Sequence, residues 1–202
     1  VARPDQIQPF SQEEILALLE ASRRTRYAKR DEAIVWFLYD TGARASELIG
    51  LRVGDLDLKG RKATVLGKGN KHRDLFFGAK TARALFRYVN DKPRQSGEPL
   101  FLAESDGGAQ EGLTRSGLRQ LVVRLSRAAS VEGAHPHRFR HTFAVDFLRN
   151  GGAVFALREK LGHTTLAMTQ RYVALAQADL EEQHRRFSPG DRLKRGKGNG
   201  SG

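Results

Sequence analysis

The chain has 202 residues, 39% of them hydrophobic and 29% charged, which suits one globular domain with short tails. It has no cysteine, which excludes disulfides, thiolate metal sites and a cysteine nucleophile. Its net charge of +12 points to a polyanionic partner, nucleic acid first, although five of those charges fall within residues 185–202.

Residues 1–10 carry Pro4 and Pro9 and read as an extended linker. Ser11-Gln12-Glu13-Glu14 is a capping box, and the helix it starts places Ile15, Leu18 and Leu19 on one face. After a basic break over 23–29, residues 30–40 resume a helical pattern. Their adjacent apolar residues, Ile34 to Tyr39, imply a deeply buried helix. Thr41-Gly42 ends it, and 45–51 is a short amphipathic helix. The period then changes. Residues 61–66 and 74–77 are β-like, and Gly67 to Arg73 between them favours a tight hairpin turn.

Residues 79–90 are helical again, 99–102 are a short strand or extended segment, and 104–112 are a glycine-rich loop. An amphipathic basic helix spans 114–129. Pro136 marks the first turn of the next, 137–150, ended by Gly151-Gly152. Helices over 154–161, 166–175 and 180–187 follow, then a basic tail over 188–202 expected to be flexible. The fold class is mainly α with a small antiparallel β-sheet (α+β).

Four groups of residues can carry chemistry. His137, Arg140 and His141 stand at i, i+3 and i+4 and so face one way on their helix, while Phe139 points to the core. Arginine beside histidine suits a phosphate: one forks onto two oxygens and the other donates a bond or moves a proton. The competing reading is an exposed basic helix. The i, i+4 histidines also have the spacing of a zinc site, but two arginines between them repel a cation, so no metal is expected. Arg44 precedes a helix and has Glu47 three residues on, placed to orient its guanidinium. Lys68 sits in a Gly-Lys-Gly turn, either as a solvated turn lysine or as a mobile ammonium that reaches a phosphate or a leaving oxygen. Tyr172 follows Leu161-Gly162-His163 by nine residues from the histidine. A phenol with an ordinary pKa of about 10 is a poor nucleophile unless cations hold its target, a phosphodiester. Tyr39 is more simply a core residue, Tyr88 sits in an amphipathic helix beside Phe86 and Val89, and Tyr27 lies in a basic loop.

Together these pieces resemble the tyrosine recombinase (phage integrase) family. The resemblance rests on Thr41-Gly42-Ala43-Arg44-Ala45-Ser46-Glu47-Leu48, Gly67-Lys68-Gly69-Asn70-Lys71-His72-Arg73, His137-Arg138-Phe139-Arg140-His141, Leu161-Gly162-His163 and Tyr172, in that order. It covers roughly residues 10–187, and the spacings are similar to those of Xer-type and phage or mobile-element integrases. Phe139 stands where the family usually has leucine.

The resemblance implies the family's catalytic-domain fold over 11–187 and site-specific DNA recombination through a 3′-phosphotyrosyl intermediate. Arg44 and Arg140 would clamp the scissile phosphate, and Lys68 would protonate the leaving 5′ oxygen. His137 would assist proton transfer, His163 would bond the phosphate and Tyr172 would attack it. Glu47 would support Arg44, His141 would have a structural role, and Lys71 and Arg73 would contact DNA. No cofactor is implied. Two alternatives are a type IB topoisomerase-like relaxing enzyme and a DNA-binding module that no longer cleaves.

The expected partners are double-stranded DNA and other copies of the chain. The helix over 174–187, with Leu175, Leu180 and Phe187 as anchors, would dock into a neighbour to form a tetramer on DNA. Off DNA a monomer is expected. The chain begins at Val1 and its sole methionine is Met168, so residues 1–10 are expected to be the linker from a preceding core-binding domain. No apolar run approaches the roughly 18 residues of a membrane span, and no signal peptide is recognisable. The expected location is the cytoplasm, on the nucleoid.

Overall fold

A computed structural model describes residues 8–67, 72–91, 93–104, 111–162, 169, 170, 172, 173, 185 and 188. Lys68, Lys71, His163, most of the glycine-rich loop, nearly all of the helices expected over 166–175 and 180–187, and the tail after 188 lie outside the described residues.

Helix α1 (Gln12–Arg23) starts as expected. The Ser11 hydroxyl accepts from the Glu14 N–H at 3.1 Å, and Glu14 Oε2 accepts from the Ser11 N–H at 2.8 Å. Both halves of the capping box are therefore made, and two N–H groups without helical partners are satisfied. Ile15, Leu18 and Leu19 are buried. Helix α2 (Ala28–Thr41) carries the apolar run. Ile34, Val35, Phe37 and Leu38 are fully inside, whereas Trp36 and Tyr39 are only half-buried and pack at the edge of the core. Helix α2 packs against α1, against α4 (Ala79–Val89) and against α6 (Pro136–Arg149), so it is the central element of the helical layer.

The end of α2 is determined locally. Thr41 bonds its hydroxyl to the Phe37 carbonyl at 2.6 Å, and Gly42 adopts a left-handed conformation at φ 60°. Its N–H returns to the Leu38 carbonyl at 3.1 Å. A glycine takes this conformation without a Cβ penalty. The position is crowded as well, because a Cβ there would run into the Phe143 ring of α6. The chain then turns directly into α3 (Ala45–Gly50).

The sheet has three antiparallel strands rather than a bare hairpin: β1 (Leu56–Asp57), β2 (Lys62–Leu66) and β3 (His72–Phe76), in the order β1-β2-β3. The two-residue β1 is too short to show an alternation in the sequence. Lys62 pairs with Phe76 and Leu66 with His72. In β2, Ala63 and Val65 point into the core, the period-2 pattern of a sheet with one buried face. The extended segment near 99–102 makes isolated bridges, Arg52 to Pro99 and Leu102 to Gly112.

Helix α5 (Arg115–Ala128) buries Leu118, Leu121, Val122 and Leu125, an i, i+3, i+4, i+7 stripe. In α6, Pro136 occupies the first turn and the His135 ring caps it by accepting from the Arg138 N–H. Phe139 enters the main core against Phe10, with ring centroids 4.8 Å apart. Phe10 is itself buried, and its N–H donates to the Thr142 hydroxyl at 2.8 Å. Arg138 covers the Phe10 ring and reaches Glu14 at 2.9 Å. The segment just before α1 is thereby fastened to α6. Helix α7 (Val154–Leu161) ends at Gly162, again left-handed at φ 60°.

Replacing Gly42 with alanine is expected to cost about 2–4 kcal/mol, from the left-handed backbone and from overpacking against Phe143. In urea unfolding, Gly42→Ala combined with Phe143→Ala should lose less stability than the two single changes added together, by roughly 1 kcal/mol or more.

Candidate functional site

The ends of α2 and α7 and the start of α3 meet the second turn of α6 and strand β3, and together they bring three arginines around one carboxylate. Arg44 is the residue before α3. Its N–H donates to Glu47 Oε2 at 2.7 Å, and its guanidinium donates to Glu47 Oε1 at 2.9 Å. Helical spacing makes this pairing local, since i and i+3 are neighbours at the first turn. Nη2 of Arg44 donates to the Gly162 carbonyl at 3.2 Å, 118 residues away.

Arg140 comes from α6 and is 4% exposed. Nη1 donates to the Gly42 carbonyl at 2.8 Å and Nη2 to the Leu161 carbonyl at 2.5 Å. Burial lowers its pKa to about 10, and the like charge of Arg44 pushes the same way while Glu47 opposes it. Arg140 stays protonated at neutral pH. Tyr172 is near enough to act on the charge of Arg140.

Arg73 comes from β3, with only 16% of its side chain exposed. Nη2 donates to both Glu47 oxygens, at 3.0 and 2.8 Å, and Nε to Oε1 at 3.1 Å. Nη1 donates to the Lys160 carbonyl. Glu47, whose side chain is 2% exposed, is thus shared by two guanidinium groups. Burial would raise its pKa, but the Arg73 hydrogen bonds, the Arg44 N–H and both positive charges together hold it below the ordinary 4.5. Three guanidinium groups around one carboxylate leave an excess of positive charge, the electrostatic setting for an anion.

Tyr172 is completely buried, packed with Ala144, Val145, Leu157 and Leu161 of α6 and α7. The His141 ring lies 5.2 Å from the Tyr172 ring. His141 itself is 7% exposed. His137, one turn earlier in α6, is exposed and stacks over His135 at 6.4 Å. The three residues expected on one face therefore differ in depth: helical spacing fixes direction, but neighbouring elements cover only the second turn. An exposed basic helix does not describe Arg140, which is inside.

The other tyrosines have different surroundings. Tyr39 donates to Asp146 at 3.1 Å, and burial, then the Asp146 charge, raises its pKa to about 12. Tyr88 stacks on Phe101 and accepts from the Leu102 N–H. The Tyr27 ring lies beneath Arg30.

The structure thus brings together Arg44, Glu47, Arg73, Arg140, His141 and Tyr172, and it leaves His137 at the rim. Sequence reasoning missed the carbonyls of Gly42, Lys160, Leu161 and Gly162 as arginine acceptors. The one available hint was the glycine at each of two helix ends. Nothing in the spacing links Arg73 to Glu47. Among the described residues, no group of three or more histidines or carboxylates is arranged to hold a metal ion. Nor is any described helix long and apolar enough to cross a membrane.

The model of the phage integrase family matches residues 8–179. The tyrosine recombinase XerC of Staphylococcus haemolyticus is 35% identical over 183 residues, which are 89% of this chain and 61% of that protein. The chain accordingly spans about three fifths of the length of such relatives. The crystal structure of XerA recombinase superimposes with a TM-score of 0.76 at 30% identity, over 93% of this chain and 67% of XerA. The catalytic domain of bacteriophage HP1 integrase gives 0.67 at 25% identity, over 94% of this chain and all of that domain.

Glu47→Gln is expected to lower stability by about 3 kcal/mol at neutral pH, since two inward-facing guanidinium groups lose their counter-charge. A carboxyl with a depressed pKa stabilises above its unfolded value and loses that contribution as pH falls through the folded one. The stability difference between the wild type and Glu47→Gln, followed by urea unfolding, should therefore shrink as the pH is lowered below 4.5.

Proposed function

Because the chain belongs to the phage integrase family, we propose that it is the catalytic part of a site-specific DNA recombinase, which breaks and rejoins DNA strands through a phosphotyrosyl link. One observation carries this reading. Buried Arg140 is near enough to buried Tyr172 and to Arg44 for each to act on its charge, although the three residues come from α6, the segment after α7 and the start of α3. A phenol, two guanidinium groups and an excess of positive charge are the parts needed to hold and attack a phosphodiester.

In the proposed reaction, Arg44 and Arg140 hold the non-bridging oxygens of the scissile phosphate. Charge that develops on these oxygens in the transition state meets donors already fixed in place. The Tyr172 oxygen forms a bond to phosphorus, and the bond to the 5′ oxygen breaks. The tyrosine proton passes to a neighbouring base, with His137 assigned that assistance, and Lys68 gives a proton to the leaving oxygen. His163 adds a hydrogen bond to the phosphate. A 5′-hydroxyl of a second strand then attacks the phosphotyrosine, and the sequence runs in reverse. The link conserves the bond energy, so the cycle uses no nucleotide.

Tyr172 is buried, so in this reading its phenol becomes accessible to the phosphate when DNA binds. Glu47 holds Arg44, and His141 packs against the tyrosine. Residues 11–187 form the catalytic domain in this reading, preceded by a linker to a core-binding domain and followed by a basic tail over 188–202. Lys71 and the excess of basic residues contact the DNA backbone, so binding weakens steeply with salt. The helix over 174–187 joins a neighbouring copy in a tetramer on DNA, and the free chain is a monomer. The proposed location is the cytoplasm, on the nucleoid.

The test is a suicide duplex, nicked near the cleavage position and built on a sequence that the protein selects from a random pool. The wild type should form a covalent adduct, Tyr172→Phe none, and Arg140→Ala about a hundredfold less or lower. An adduct formed equally well by Tyr172→Phe would remove the assignment of the nucleophile.

A further inference from the structure

We infer that Arg73 is a positioning residue, which clips the strand leaving the β2–β3 turn to the arginine clamp and to the end of α7, rather than a contact to DNA. This rests on the proposed reaction for its functional meaning, but the geometry stands by itself. All three nitrogens of the Arg73 guanidinium are turned inward: Nε and Nη2 to Glu47, Nη1 to the Lys160 carbonyl. A side chain directed at backbone phosphates would instead be exposed, and this one is 16% exposed.

The acceptors of the three arginines are three consecutive carbonyls. Arg73 takes Lys160, Arg140 takes Leu161 and Arg44 takes Gly162. Lys160 and Leu161 close α7 and Gly162 follows it, so all three carbonyls sit at the negative end of the helix dipole. Gly162 turns the chain left-handed there, so successive carbonyls fan towards different elements. The end of α7 thus sets the three guanidinium groups in register along one short stretch of backbone.

Arg73 differs from the other two in what it ties together. Arg44 and Arg140 each reach α7 from a helix. Arg73 reaches it from the sheet, across a register in which Val65 faces Arg73 and Leu66 faces His72. It also takes most of the hydrogen bonding of Glu47, the group that aims Arg44. Without Arg73, Glu47 would keep one guanidinium partner, and β3 would lose its bond to α7. Arg44 would then swing on a less constrained carboxylate. The strand entering from the Lys68 turn would then be tied to the clamp only through its pairing with β2 and the contact of Phe76 with Lys160. A lysine cannot substitute, because an ammonium does not fork onto two oxygens while also reaching a carbonyl.

The experiment compares wild type, Arg73→Ala and Arg73→Lys in the full chain by three measurements. The first is nitrogen-15 NMR of the guanidinium groups without DNA. The Arg44 and Arg140 signals should shift and exchange faster in both variants, and unchanged signals would overturn the proposal. If Arg73→Ala does not fold, Arg73→Lys supplies the same comparison. The second is affinity for a mixed-sequence duplex across a salt series. It should keep its salt slope in both variants. A slope reduced by about one in Arg73→Ala, with the arginine signals intact, would make Arg73 a phosphate contact instead. The third is single-turnover adduct formation on the suicide duplex. It should fall about a hundredfold at saturating DNA in both variants, as expected for a clamp misplaced by roughly 1 Å. If the wild type itself forms no adduct, the proposed reaction fails, while the NMR comparison still decides the positioning role.

Discussion

The bond pair from Arg140 to the carbonyls of Gly42 and Leu161 joins the end of α2, the middle of α6 and the end of α7. A guanidinium at 4% exposure is tolerated only when its donors are used and its charge is answered. Both acceptors are backbone groups at helix ends, where carbonyls lack internal partners. The charge therefore closes two helices while they hold it. Losing either acceptor would leave a guanidinium donor unpaired in the interior, at a cost of about 1–3 kcal/mol. That mutual dependence holds Arg140 between the two helix ends.

Around this bond the structure is organised as a set of terminations. Gly42 ends α2 and offers its carbonyl, Gly162 ends α7 and turns three carbonyls outward, and Arg44 begins α3 with Glu47 one turn on. Charged groups collect there because helix ends are the only places in a packed helical layer with unsatisfied backbone polarity. The hydrophobic contacts of α2 with its neighbours, and of α7 with α6, fix where those ends fall. Arg140 responds to that setting: burial and the nearby Arg44 depress its pKa to about 10, which still leaves it charged. Donors fixed in this way reorganise little when an anion is held, which is the property the proposed phosphoryl transfer needs.

Much of the fold was legible because its signals are local. The capping box at Ser11, the αL stops at Gly42 and Gly162, the stripe on α5 and the proline start of α6 each depend on a few adjacent residues, and each appears where expected. β1 was not legible, because two residues carry no alternation. Trp36 and Tyr39 were read as interior, but they sit at the edge, because a run of six apolar residues turns through more than one helix face. In the site, Glu47 beside Arg44 was legible as an i, i+3 pair. The union of Arg73 with Glu47, and the carbonyls that receive all three arginines, were not, since no short-range pattern encodes a bond between strand and helix end.

The sequence by itself determined the elements, the residue types that can handle a phosphate, and the order in which they occur, since capping, periodicity and glycine stops act within a turn or two of chain. Only the tertiary structure decided depth and partnership. It buried Arg140 and Tyr172 while leaving His137 outside, and it turned Arg73 inward onto Glu47. Depth and partnership depend on which distant element covers a given turn, and that is settled when the helices and the sheet pack, 26 residues apart for Arg73 and Glu47 and 118 for Arg44 and Gly162.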